Sequence, residues 1–320
     1  MPDPRWGLLI VLYLFLGGLS AGLFFVSALA SYIQADGKPA YPRLARLGAL
    51  LAPWPVSLGS ALLVLDLGHW YRFYKLFVTF EWHSPMSIGA WLLGLFTVVT
   101  LLAFWAWLPQ EFLTGLVQRL PRRLRFLRVV DRPNRETLRR PLAMIGFPLA
   151  VGVGIYTGVL LGAVQARPFW NTNLVAQMFL FSALSSGCAL VILALSLRRG
   201  GLEAGEARLL LSLDIVLIVL ELFIVLPYVI HGTLSPLAVR QALQLVMGGP
   251  FTFAFWVLFL ALGLLLPLAL ELWEMRPVLL DRGSLHAGRL LAGVSAALVL
   301  FGGFVLRYVF VYAGQVSSFQ

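Results

Sequence analysis

Residues 65–91 read LDLGHWYRFYKLFVTFEWHSPMSIGAW and join one long apolar run to the next. Six ionisable residues stand in this segment, although the chain has few of them: Asp66, His69, Arg72, Lys75, Glu81 and His83. Eight aromatic residues are interleaved with them. A charged, aromatic loop between membrane-length segments is typical of a surface that meets a soluble partner or a ligand at headgroup depth. An interfacial aromatic belt is the alternative, but it does not explain Asp66, a carboxylate at a helix C-terminus where the helix dipole disfavours it.

Composition places the protein among membrane proteins. Hydrophobic residues make up 60% of it, charged residues 12%, and the mean hydropathy is +0.89. A soluble domain carries roughly 25% charged residues. The sequence is therefore predicted to form an all-α polytopic membrane protein.

Runs of about 20 apolar residues define the predicted membrane spans. The sequence predicts a single integral membrane domain with eight spans, near 7–33, 44–65, 87–108, 142–164, 174–197, 209–231, 251–271 and 287–310. Small residues such as Gly22 recur inside these spans and favour close helix packing.

The basic residues predict the orientation of the bundle. Of the 24 Lys and Arg residues, 18 lie in or beside the loops that follow the odd-numbered spans. The positive-inside rule therefore places both termini and the 66–86 loop on the outer, periplasmic face. The net charge of +10 is a topology signal, and we expect no nucleic-acid partner.

The segment 109–141 is the most basic loop and is expected to lie on the cytoplasmic face. It contains QRLPRRLRFLRVVDRPNRETLRR, which predicts a short amphipathic helix resting on anionic membrane lipid. A docking site for a cytoplasmic partner is the alternative.

Two carboxylates stand inside the sixth predicted span. Asp214 and Glu221 are seven residues apart, about two helical turns, so they share a face that continues to Tyr228. Intramembrane carboxylates cost about 2.5–3.5 kcal/mol each and are functional candidates by default. We therefore expect Asp214, Glu221, Tyr228 and Arg307 to form a proton path. The alternatives are that Asp214 lies at the inner headgroup level and that Glu221 simply pairs with Arg307.

Metal and haem chemistry have few candidate ligands. The single Cys188 excludes an intrinsic iron–sulfur cluster, which needs about four thiolates. His69, His83 and His231 map near the outer boundary and His286 near the inner one, whereas a bis-histidine haem needs two histidines at facing depths inside the bundle. We expect no metal site, intrinsic haem or iron–sulfur cluster.

Five stretches combine small residues with aromatics and span nearly the whole sequence: 13–22 (YLFLGGLSAG), 65–74 (LDLGHWYRFY), 85–91 (PMSIGAW), 156–187 and 302–315 (GGFVLRYVFVYAGQ). Together, in this order on eight spans, they resemble the NrfD/PsrC family, the quinone-interacting membrane subunits of polysulfide reductase and related molybdenum respiratory complexes.

The resemblance implies a function and partners. It implies a subunit of the bacterial or archaeal cytoplasmic (inner) membrane that exchanges electrons between membrane quinone, menaquinone or ubiquinone, and a docked ferredoxin-like iron–sulfur subunit. That subunit would connect to a molybdopterin catalytic subunit on the outer face. The membrane protein itself would hold no redox centre, and proton translocation could accompany the reaction.

The quinone site implied by the family maps onto several residues here. A span-1 His of the family falls at Tyr13 and an Asn at Ile10, which cannot donate a hydrogen bond, and Tyr156 matches a later Tyr. We expect Tyr13, Tyr156, Trp170 and Asn171 to line the slot. Asp66 and His69 are expected to handle its protons.

Docking of the iron–sulfur subunit is expected at Arg72, Tyr74 and Lys75, because Arg and Tyr are typical interface anchors.

Two other functions stay open. One is a passive anchor without quinone chemistry, and the other is a proton-coupled secondary transporter, since buried acids and broken helices also suit ion coupling.

Overall fold

Eight apolar segments form helices long enough to cross a membrane within the part of the protein that the structure describes. A computed structural model describes residues 6–35, 38–66, 71, 74, 78, 80–109, 111, 135–164, 166–198, 201–279 and 288–317. The helices are α1 (Leu8–Tyr32), α2 (Pro42–Leu51), α3 (Pro53–Asp66), α4 (Pro85–Trp107), α5 (Glu136–Gly162), α6 (Leu174–Ser196), α7 (Ala204–Leu234), α8 (Leu237–Met247), α9 (Ala254–Leu265), α10 (Leu266–Leu279) and α11 (Arg289–Val316). Strands β1 (Gln34–Ala35) and β2 (Lys38–Pro39) form a short antiparallel pair. The predicted all-α class with eight membrane-length helices is confirmed, with α2–α3 and α9–α10 each making one span.

Several helices extend beyond the apolar runs that predicted them. The fourth span starts at Glu136, so the last residues of the expected 109–141 loop belong to α5. The seventh continues to Leu279, so the expected 272–286 loop is partly helical. A helix continues wherever its backbone bonds are satisfied, whereas hydropathy marks only the apolar part. Residues 110, 112–134 and 280–287 lie outside the described ranges.

Two spans depart from regular α-helix. Pro53 follows the break between α2 and α3, because proline has no N–H and disfavours a helical residue before it. At the break, the Ser20 hydroxyl of α1 donates to the Ala52 carbonyl at 2.6 Å. The α9 segment is π-helical over its whole length. Freed carbonyls inside a membrane span need such neighbouring donors.

Helices α1 and α6 form the centre of the bundle. In each helix, 72% of an apolar 18-residue stretch is buried. Helix α1 contacts α2, α3, α5, α6 and α11. The crossing of α1 and α6 is made at glycines: a Cβ on Gly22 would lie 2.2 Å from the Ala183 carbonyl oxygen, and one on Gly187 would lie 2.1 Å from the Gly22 carbonyl carbon. The two backbones can therefore touch only where neither residue has a side chain.

The two ends of the bundle have different contacts. At one end the Trp6 N–H donates to Gln315 Oε1 at 2.8 Å, and Gln315 Nε2 donates to the Trp6 carbonyl at 2.9 Å, so the start of α1 is tied to the end of α11. At the other end Arg43 pairs with Glu203. There Arg139 Nε donates to the Ala106 carbonyl at 3.1 Å, next to the end of α4. The start of α1 and the end of α11 thus share one face, while the assignment of that face to the periplasm stays a prediction.

Candidate functional site

Tyr13 and Tyr156 are brought together from α1 and α5. Both are buried, with 2% and 8% of their surfaces exposed, and their hydroxyl groups lie close to each other. Tyr156 fits against α4 because residue 89 is glycine: a Cβ there would lie 1.9 Å from the Tyr156 hydroxyl. Three of the sequence stretches that carry the family resemblance, 13–22, 85–91 and 156–187, therefore meet at this pair.

Depth along the helices places this tyrosine pair near the end that holds both termini. Tyr13 is five residues from the start of α1, and Tyr156 is six residues from the end of α5. At 1.5 Å per residue both lie about 8–9 Å inside that end. The pair is therefore at one depth, reached by two helices that run in opposite directions.

Trp170 connects the segment before α6 with α11 and with Trp6. Its indole Nε1 donates to the Phe310 carbonyl at 2.7 Å, and its ring stacks on Trp6 with centroids 5.2 Å apart. A Cβ on Gly314 would lie 1.8 Å from that nitrogen, so glycine is required for the contact. Because its one donor is already used, Trp170 can offer a quinone only ring contact.

Asn171 and Tyr228 lie beside each other in a small recess that also includes His231. Asn171 is exposed, whereas Tyr228 is buried and its hydroxyl donates to the Phe169 carbonyl at 3.1 Å. The tyrosine ring also packs against Phe310. Tyr228 is thus bound into the packing between α7, α11 and the segment before α6.

The 66–86 segment is described in part. Asp66 is the last residue of α3 and is exposed, and Tyr74 is 53% exposed. Trp82 is 76% exposed and stacks edge-on against Phe80 at 4.7 Å. The predicted residues His69, Arg72 and Lys75 lie outside the described residues.

Arg307 is fully buried in the middle of the bundle. Its Nη1 donates to the Ser182 hydroxyl and to the Gly303 carbonyl, each at 2.7 Å, and the guanidinium lies over the Phe179 ring at 5.2 Å. Its Nε has no hydrogen-bond partner among the described residues. A Cβ on Gly18 of α1 would lie 3.0 Å from Nη2, so the glycine leaves space for the guanidinium group.

Glu221 approaches this cation without a direct ion pair. The two groups are close enough for charge attraction, and Ser182 is adjacent to both, but their nitrogen and oxygen atoms are not within 4 Å of each other. Glu221 Oε1 is buried, with no partner in the described part of the protein. Glu221 and Arg307 therefore interact through charge attraction and through the shared neighbour Ser182, without a direct ion pair.

Asp214 is fully buried and not at an exposed helix end. It faces Glu271 of α10, and Glu274 follows about one turn further along the same helix. Both carboxylates are also fully buried, and the sequence analysis missed both. Glu271 was the last residue of the predicted seventh span, 251–271, and Glu274 fell in the loop expected after it, so neither was taken as an intramembrane carboxylate. The available signal was that they are three residues apart, on one helix face, in an apolar run that continues to 279.

No group of three or more His, Cys, Asp or Glu side chains among the described residues has the arrangement of a metal site. His83 and His231 are exposed, and His69 and His286 lie outside the described ranges. The absence of haem and metal stays a prediction for the complete protein.

Known proteins are similar to this sequence over nearly its whole length. A family model described as "Polysulphide reductase, NrfD" matches residues 2–318. The sequence is 33% identical to protein NrfD of Escherichia coli over 98% of its own length and 95% of that protein. It is 31% identical to a polysulfide reductase chain of Wolinella succinogenes, covering 97% and 94%. It is 27% identical to a selenate reductase subunit of Mesobacillus selenatarsenatis, covering 98% and 74%. The protein belongs to the NrfD family of polysulphide reductase membrane proteins.

Proposed function

We propose that this protein is the membrane anchor and quinone-binding subunit of a respiratory reductase complex. The observation that carries the proposal is the buried Tyr13–Tyr156 pair, formed where three family stretches meet near one end of the bundle. Two relatives are named as component polypeptides of polysulfide reductase and selenate reductase, which supports a place in such a complex.

The tyrosine pair fits the needs of a quinone head group. A quinone carbonyl needs a hydrogen-bond donor in an apolar setting, and each tyrosine supplies one O–H. The two hydroxyls lie close to each other, and either could donate to a carbonyl oxygen of the quinone instead. When bound, the quinone supplies two-electron, two-proton redox chemistry. Tyr13 and Tyr156 orient its ring, while Asp66 and His69 hold and release protons nearby.

Electrons pass between that quinone and a ferredoxin-like iron–sulfur subunit, which connects to a molybdopterin catalytic subunit. The docking surface is the 66–86 segment, including Arg72, Tyr74 and Lys75. Exposed Tyr74 and Trp82 support this assignment, because exposed aromatic side chains are typical anchors of protein interfaces.

Protons cross part of the bundle along Asp214, Glu221, Arg307 and Tyr228. The isolated oxygen of Glu221 and the Ser182 hydroxyl beside it support this path, since a carboxyl group without a fixed partner can accept and pass a proton. The location of the whole complex is the cytoplasmic membrane.

The test is removal of the two hydroxyl groups. Tyr13→Phe and Tyr156→Phe should each raise the KM for quinol of the purified complex by about two- to tenfold, because each loses one hydrogen bond of about 0.5–1.5 kcal/mol. Activity of the catalytic subunit with a soluble dye should not change, since the dye bypasses the membrane subunit.

The matched control is Tyr308→Phe, in which a partly exposed tyrosine of α11 outside the pair loses the same atom. Unchanged quinone kinetics in both pair variants would remove the tyrosines from the site. A complex that never reacts with quinone while holding its soluble subunits would be a passive anchor.

A further inference from the structure

Three buried carboxylates lie close together in the half of the bundle away from the termini. Asp214 is ten residues into α7, about 15 Å from its start at 1.5 Å per residue. Glu271 and Glu274 stand on one face of α10. None of the three has exposed surface.

Asp214 and Glu271 are arranged as a matched pair. Asp214 Oδ1 accepts a hydrogen bond from Ser185 at 2.6 Å, and Glu271 Oε1 accepts one from Ser295 at 3.0 Å. The carboxyl groups face each other, and the remaining oxygen of each, Oδ2 and Oε2, is buried without a partner among the described residues. Two serines from different helices thus fix the pair and leave one free oxygen on each side.

One proton would complete this arrangement. With both groups ionised, two negative charges would face each other in an apolar interior, and no Lys, Arg or His of the described residues lies within ion-pairing distance of either. A proton on one free oxygen gives a donor for the other, so both oxygens become satisfied and one charge disappears. The other titratable neighbours are Glu274 beside Glu271, the Cys188 thiol beside both carboxyl groups, and Glu221, which lies within electrostatic reach of Asp214.

Glu274 extends the pair toward the helix end. It is five residues from the end of α10, about 8 Å, and three residues from Glu271. Both of its carboxyl oxygens are buried and have no hydrogen-bond partner within the described ranges. Glu274 is therefore the carboxyl group nearest the helix end on this face, one turn from the pair, and can pass to the pair a proton that enters from that end.

We propose that Asp214 and Glu271 hold one proton in common and exchange it with the adjacent aqueous phase through Glu274. A proton leaves water, bonds to Glu274, and then transfers to the pair as the pair releases its own proton toward Glu221, so charge is conserved at each step. Supply of protons toward Glu221 rests on the proposed function above, whereas the shared proton does not.

The shared proton is measurable by infrared spectroscopy of the full-length protein in lipid, without quinone or partner subunits. A protonated carboxyl group has a carbonyl stretch separate from that of a carboxylate. At neutral pH the wild-type spectrum minus that of Asp214→Asn/Glu271→Gln should contain this stretch. A difference spectrum without it would overturn the shared proton.

A milder pair of variants tests the same point if the double variant does not fold. Ser185→Ala and Ser295→Ala each remove one hydrogen bond to the pair and should shift the frequency of the stretch. The control is Ser27→Ala, which removes a buried hydroxyl group that donates a hydrogen bond to the Ala45 carbonyl, outside the carboxyl pair. A stretch that is equally unaffected by all three serine changes would show that the proton is elsewhere.

Exchange through Glu274 is tested by transfer into D2O, which shifts the stretch as the proton is replaced. Glu274→Gln should slow this shift about 10²-fold, because a placed proton carrier contributes about 10²–10⁴-fold. Equal rates in wild type and variant would overturn the role of Glu274. Because these readouts need no quinone, a failed quinone proposal and a failed proton proposal give different results.

Discussion

At the scale of single residues, the most unusual feature is the pairing of buried charges with hydroxyl groups. Arg307 is bound by Ser182 and by the Gly303 carbonyl, and Glu221 approaches the same serine. A direct buried ion pair would hold both groups in one geometry, and its separation would be costly. Here the Ser182 hydroxyl lies beside both groups, and Glu221 Oε1 has no fixed partner among the described residues.

This arrangement leads to a prediction for Glu221→Gln. Proteoliposomes that contain the whole complex should keep their quinone-linked turnover but lose the membrane potential, because the amide cannot carry a proton. We expect the rate of charge movement to fall about 10²-fold. The measurement is the response of a potential-sensitive dye during turnover.

The matched control is Glu136→Gln, which changes an exposed carboxylate at the start of α5. It should leave both turnover and potential unchanged. An equal potential in wild type and Glu221→Gln would show that Glu221 carries no protons.

At the scale of elements, the α1–α6 crossing determines how tightly the centre of the bundle packs. Gly22 and Gly187 bring the two backbones into contact, so no side chain fits at either position. Gly17, on the same helix as Gly22, is different: a Cβ there would lie 3.8 Å from a Thr157 methyl group, an ordinary contact.

Gly22→Ala should therefore destabilise the protein, whereas Gly17→Ala should not. Forced overpacking costs about 1–3 kcal/mol, and more where the neighbour is backbone that cannot move aside. The measurement is the midpoint of thermal unfolding in detergent, compared between the two variants. Equal midpoints for the two variants would show that a methyl group at position 22 does not destabilise the protein, which would contradict the close crossing of α1 and α6.

At the scale of the whole molecule, the termini lie together while the arginine-rich contacts lie at the other end. Trp6 and Gln315 bind each other at the first end, and Arg43 and Glu203 pair at the second. The excess of basic residues at the second end predicts that it faces the cytoplasm.

Labelling at both ends of α7 tests this orientation. In a Cys188→Ala background, Thr233→Cys should react with a membrane-impermeant thiol reagent in intact cells, and Ala204→Cys should not. Both positions are exposed and lie at opposite ends of one helix, so each is the control for the other. The reverse pattern would place the tyrosine pair and its docking surface on the cytoplasmic side.

The sequence by itself determined the class, the eight spans and the family, because hydropathy and the order of short motifs are properties of the sequence alone. It also singled out Asp214 and Glu221, since carboxylates are conspicuous in an apolar run, and the family resemblance singled out Tyr13 and Tyr156. The distribution of Lys and Arg predicts the orientation.

The tertiary structure decided which of these residues meet. Tyr13 and Tyr156 are more than 140 positions apart, and their meeting depends on Gly89 of a third helix. Glu271 became significant only when packing placed it against Asp214. Periodicity gives the face of one helix, but the rotation of each helix against its neighbours depends on side-chain packing across the whole bundle. Pairing between helices is therefore a property of the folded molecule.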